Sequence, residues 1–139
     1  GLNSRLDPLQ AAVLSVKLKH LERWNQTRKD VALRYLREIT NENVLLPFVP
    51  HYSEPVWHLF VLQHDHRDEL QENLRRVGVE TLIHYPTPPH MQHAYNDSFL
   101  RDDFPIARRL SETALSLPIG PHMQERQVDQ VIEMVNRYA

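Results

Sequence analysis

The chain has 139 residues, 41% hydrophobic and 24% charged, which suits one domain with a real core. Interspersed acids and bases leave a net charge of −2, against a nucleic-acid footprint or a polybasic membrane patch. There is no cysteine, so a disulfide scaffold and a thiolate metal site are excluded, and a cytoplasmic location is the simpler expectation.

Gly1-Leu-Asn-Ser-Arg-Leu6 runs straight into helix signals without an initiator methionine, which reads as a segment of something longer. Asp7-Pro8 is a helix start: a capping acid, then proline where no N–H is needed. Apolar residues recur mostly every three or four positions from Leu6 through Val13, Trp24, Val31 and Tyr35 to Ile39. The spacing predicts one very long amphipathic helix ending near Thr40, bent near Asn25. So long a helix more often links two bodies than packs within one.

A loop follows, with a short extended piece at 44–46. Residues 56–62 read as a strand apolar on both faces, with His58 a core histidine beside Trp57. Asp65 is placed to cap a helix over 67–77, and Gly78 to end it. Residues 79–85 read as a second strand and 104–114 as a helix. Residues 115–119 read as a third strand, put at an edge by Pro118, and 124–138 as a closing helix. The sum is an α+β (α/β sandwich) domain of about three strands with helices on one face. The other sheet face is apolar with nothing in the chain to cover it.

The stretch Thr81-Leu-Ile-His-Tyr-Pro-Thr-Pro-Pro-His-Met-Gln-His-Ala-Tyr95 carries the chemistry. A β-type run ends on His84 and Tyr85, and Pro86, Pro88 and Pro89 then forbid regular structure. A rigid, donor-poor loop that receives two polar rings suits a binding pocket better than an idle turn. Nine histidines raise the question of a metal site, but His90 and His93 are only an i, i+3 pair, with no acid between them on a helix. No serine sits in a nucleophile elbow, and Lys17, Lys19 and Lys29 lie on a polar helix face. No catalytic nucleophile or base is therefore assigned. Asn3 and Arg5, just before a helix N-terminus, are of the right chemistry to hold a phosphate. By spacing alone the plainer reading, that both anchor the helix start, is favoured.

The segment 1–14, Trp57-His-Leu-Phe60, Gly78-Val-Glu-Thr-Leu-Ile-His-Tyr-Pro86, Pro89-His90, Ala114-Leu-Ser-Leu-Pro-Ile119 and Gln127-Val-Asp-Gln-Val-Ile132 fall in one order. In that order the chain resembles the DegT/DnrJ/EryC1/StrS sugar aminotransferases, over essentially its whole length. The resemblance implies the small C-terminal domain of a fold-type I, pyridoxal-phosphate enzyme. Residues 1–40 would be an interdomain helix with a cofactor-reaching arm, and 41–139 the small domain. The large N-terminal domain, which holds most of the cofactor and the lysine that carries it, would lie outside this chain. The implied activity moves an amino group from glutamate to a nucleotide-linked keto-sugar, in a homodimer. The isolated chain would be inactive.

By the same resemblance, Asn3 reaches the cofactor phosphate of the partner subunit and Arg5 lies nearby, while His84, Tyr85 and His90 approach the sugar nucleotide. The Ile-His-Tyr-Pro-x-Pro-Pro-His form is similar to the subset acting on dTDP-linked 3-keto-6-deoxyhexoses. Pro8 and Gln124 depart from the family pattern; Gln124 would weaken the last helix cap by about 1 kcal/mol at most. Two rivals stand beside this reading: a non-catalytic sensor of the same family, and a histidine-rich metal-binding module.

Overall fold

The computed structural model describes residues 3, 5–95 and 104–139. Helix α1 (Pro8–Leu18) starts where the sequence predicts. The Asp7 carboxylate accepts from the backbone N–H groups of Leu9 and Gln10 at 2.8 and 3.3 Å, and Pro8 opens the helix. The single long helix does not form. Helix α2 (Leu21–Glu38) follows a break at Lys19 and His20, ahead of the expected bend at Asn25. The chain tightens there, with His20 N–H donating to the Lys17 carbonyl at 2.9 Å.

Strands β1 (Phe60–Gln63) and β2 (Ala114–Leu117) pair antiparallel, Phe60 opposite Leu117 and Leu62 opposite Leu115. Single bridges extend the sheet on both sides: Leu45 with Gln63, and Leu82 with Ser116. The α+β class holds, but the strands are shorter than the sequence suggests. Trp57 has φ +52°, a left-handed backbone that a straight strand cannot pass through, so β1 starts only at Phe60. The expected strand 79–85 shrinks to the Leu82 bridge. On one side of Leu82, the Gln71 amide holds the Thr81 carbonyl to the neighbouring helix at 3.3 Å. On the other, the prolines begin. β2 is central, not at an edge. Its four residues are all buried, and Pro118 lies past its end, where the carbonyl accepts from the Tyr35 hydroxyl at 2.8 Å.

Helix α3 (Arg67–Arg76) is not capped by Asp65, which instead pairs with Arg109 at 3.6 Å. His64 Nδ1 accepts the His66 N–H at 3.1 Å in its place. Gly78, at φ +80°, ends the helix: its N–H donates to Arg75, and Val79 N–H to Leu74. Helix α4 (Pro105–Thr113) runs directly into β2. Helix α5 (Glu125–Tyr138) starts with the Gln127 side chain accepting the Gln124 N–H at 2.9 Å, which offsets the weaker cap residue.

The core lies on one face of the sheet. Phe60, Leu62, Leu115 and Leu117 meet Tyr35 of α2, Leu70 and Leu74 of α3, and Val131 and Val135 of α5. Each such side chain contributes about 1.5–3 kcal/mol on burial. Tyr35 and Phe60 meet edge to face at 5.0 Å, and Trp57 stacks on Phe60 at 5.4 Å. Burial pushes the Tyr35 phenol up.

A polar seam joins α2 to α5. Asn136 Oδ1 accepts from Thr40 and Asn41 N–H at 2.8 and 3.2 Å, and its Nδ2 donates to the Glu38 carbonyl at 2.8 Å. These bonds satisfy backbone groups left over where α2 ends. Asn136→Ala is expected to cost about 2 kcal/mol in urea unfolding. A loss below about 0.5 kcal/mol would show the clamp to be idle. Arg34 binds Glu38 and Asp129, both at 2.7 Å. Hydrogen bonds from Arg34 and Arg37 hold the Glu38 carboxyl down at about 2, against an ordinary 4.5. A carboxylate lowered in the folded state stabilises above its unfolded value, and that contribution is lost as pH falls toward its folded value. The gap in urea midpoint between the parent and Glu38→Gln is therefore expected to be present at pH 7. It should close as pH falls from about 4.5 toward about 2. A gap independent of pH would refute the assignment.

Candidate functional site

The sheet face opposite the core carries the site. Ser116 sits in the middle of β2, only 4% exposed. Its N–H and C=O both bond Leu82, at 2.8 and 3.1 Å. That bridge brings His84 over the strand, where its Nδ1 lies 2.9 Å from Ser116 Oγ. The Tyr85 ring stands edge-on to the imidazole at 5.6 Å, and the peptide between them is cis. His84, Ser116, His58, Glu80 and His122 line a cavity of about 260 Å³, with Leu59, Leu82, Ile119 and Met123 as apolar walls. His58 is thus exposed to the site and not a core residue. The left-handed turn at Trp57 puts Trp57 in the core and His58 outside it.

Past His84 the prolines exclude helix and strand, as expected, but they admit short 3-10 turns. Pro88 is buried, Pro89 opens a 3-10 turn, Pro89–Met91, and a second follows at His93–Tyr95. His90 is 8% exposed, with its ring 5.0 Å from Phe104, and its Nε2 is buried without a hydrogen-bond partner among the described residues. It lines a second cavity of about 380 Å³ with Pro89, Tyr95, Phe104 and Ala107.

The five residues singled out from the sequence therefore do not form one cluster in the chain. His84 and His90 line separate cavities, and Tyr85 projects into solvent. Asn3 and Arg5 are exposed before α1 and line neither cavity. The sequence assigns no site role to Ser116 or to His122, which stands isolated from the other histidines in the chain. The only signal was a hydroxyl in the apolar run Leu115-Ser-Leu117, and Ser116 was weighed there only as a nucleophile. Among the described residues no group of three histidines or acids is placed to hold a metal ion. No helix among them is long and apolar enough to cross a membrane.

A two-layer α+β unit with a histidine-bearing proline loop beside its sheet defines a class, and comparison with known proteins gives the family. Residues 1–136 match the DegT/DnrJ/EryC1/StrS aminotransferase family, and the chain belongs to it. It is 46% identical over 138 residues to the dTDP-3-amino-3,6-dideoxy-alpha-D-galactopyranose transaminase of Aneurinibacillus thermoaerophilus, covering 99% of this chain and 38% of that protein. It is 48% identical over 134 residues to the erythromycin biosynthesis sensory transduction protein EryC1 of Saccharopolyspora erythraea, covering 95% of this chain and 37% of that protein. The crystal structure of DesV from S. venezuelae superposes with a TM-score of 0.94 at 41% identity, over 99% of this chain and 38% of that one. The chain thus spans under two-fifths of the length of these relatives.

The buried His90 nitrogen yields a stability prediction. His90→Leu removes a buried polar atom that has no partner among the described residues, so unfolding free energy should stay within about 1 kcal/mol of the parent or rise. A loss of several kcal/mol in urea unfolding would mean that this nitrogen is bonded in solution.

Proposed function

We propose that this chain is the small C-terminal domain, led by its interdomain helices, of a pyridoxal-phosphate aminotransferase. In this reading residues 1–40 are the linking helices and arm, and 41–139 the small domain. The enzyme transfers an amino group from glutamate to a nucleotide-linked keto-deoxysugar, of the dTDP-3-keto-6-deoxyhexose type. It acts in the cytoplasm as a homodimer and serves surface-polysaccharide or natural-product sugar synthesis. The observation that carries this reading is the family match over 1–136, joined to 46% identity with a relative named as a dTDP-sugar transaminase.

The chain's own residues fit one end of the cofactor only. Lys17 and Lys19 are exposed on α1 and just beyond it, Lys29 pairs with Glu54 at 3.4 Å, and no lysine lines either cavity. Nothing described here could carry the cofactor's ring. Asn3 and Arg5 are different: both are exposed, and they offer an amide and a guanidinium suited to its phosphate. When bound, pyridoxal phosphate supplies the electron sink for nitrogen transfer. His84, Tyr85 and His90 bind and orient the sugar nucleotide, and the stiff proline loop holds them in place.

Asn3→Ala in the intact dimer is expected to weaken cofactor retention about tenfold, as loss of one hydrogen bond to a charged group does. Equilibrium dialysis followed by cofactor absorbance measures this, and unchanged retention would refute the role. A second reading, a sensor of the same family without turnover, draws on the sensory name of the 48% identical relative. Transfer of nitrogen from glutamate to a dTDP-keto-sugar by the intact protein would exclude it.

A further inference from the structure

The reading of His84 as a substrate-facing group leaves the buried hydroxyl beneath it without a task. We infer that Ser116 is a positioning residue, whose hydroxyl donates to His84 Nδ1 and fixes the imidazole as the tautomer with its proton on Nε2. That N–H is then a hydrogen-bond donor held toward an acceptor oxygen of the sugar nucleotide. The inference rests on the substrate reading of His84 given above.

The direction of the hydrogen bond follows from proton bookkeeping. Ser116 Oγ and His84 Nδ1 are 2.9 Å apart, and the geometry allows either to donate. If the imidazole donated, the serine proton would have to turn to water at the cavity wall. Ser116 is 4% exposed, and among the described residues its hydroxyl has no second partner. A buried donor left unpaired is costly, so the hydroxyl donates and Nδ1 accepts. In a neutral imidazole the proton then sits on Nε2.

The position of the hydroxyl is equally constrained. Both backbone groups of Ser116 are engaged by Leu82, and its neighbours Leu115 and Leu117 pair with β1. The oxygen is therefore mounted on the most fixed part of the sheet, while the imidazole comes from a proline loop. The Tyr85 ring meets the imidazole edge to face at 5.6 Å. His84 is half-buried on the rim of the 260 Å³ cavity, so an N–H there faces little competing water. Such a donor selects an acceptor: a sugar hydroxyl or carbonyl oxygen, or a phosphate oxygen.

The test uses the protein labelled with ¹⁵N-histidine, with the His84 signals assigned by loss in His84→Gln. The expected result is an unprotonated Nδ1 whose resonance shifts in Ser116→Ala and returns in Ser116→Thr, which keeps the hydroxyl. In the intact enzyme Ser116→Ala should raise KM for the sugar nucleotide about three- to tenfold, with kcat nearly unchanged. Ser116→Thr should restore KM. A proton on Nδ1, or an Nδ1 resonance unmoved by Ser116→Ala, overturns the proposal. So does an unchanged KM in Ser116→Ala when His84→Gln raises it. If His84→Gln itself leaves KM unchanged, the substrate reading fails, and the nitrogen resonances then judge the Ser116–His84 bond alone.

Discussion

β2 is hydrogen-bonded on both sides, and the rest of the domain is arranged around that fact. Four residues in the middle of a sheet must satisfy two ladders and fill two faces. Leu115 and Leu117 turn to the helices and complete the core; Ala114 and Ser116 turn to the other face. The strand also has no loop before it, since α4 ends at Thr113 and β2 begins at Ala114. A helix that stops so abruptly leaves carbonyls without partners. Arg67, 7% exposed, supplies them: its Nη1 donates to the Ser111 and Ala114 carbonyls, both at 3.1 Å. Asp68 lies 2.6 Å from its Nε and balances the charge. A buried guanidinium is thus what lets the helix join the central strand directly.

Two helix ends were legible because their causes are local; the break at Lys19 and His20, and the start of α3 without the Asp65 cap, were not. Asp7-Pro8 and Gly78 each announce a boundary through the chemistry of one or two residues, and the structure uses both. Strand limits were not, because their causes are distant or conformational. Nothing near Thr81 reveals that Gln71 will hold its carbonyl, and no composition rule puts a tryptophan in a left-handed turn. Pro118 misled for a related reason. Proline bars a residue from the middle of a ladder, but it does not say whether the strand stops one residue earlier. Of the site, the rings of the proline loop could be picked out from sequence. The serine that meets one of them could not, because its role depends on a cross-strand neighbour.

Helix α1 has a different kind of support. It buries none of its eleven residues, and Leu9, Val13, Val16 and Leu18 are between 52% and 75% exposed. A helix of that length is marginal by itself, and an apolar face so open is characteristic of a contact surface. On the proposed reading the contact is the large domain. The same reading accounts for the division of the site. Asn3 and Arg5 stand before this helix, whereas His84 and His90 stand in cavities that neither of them lines. Groups that one chain keeps apart can still serve one centre if a second subunit brings its own arm across. On that reading the large domain covers the open helix, and a homodimer would bring the scattered site residues to one centre.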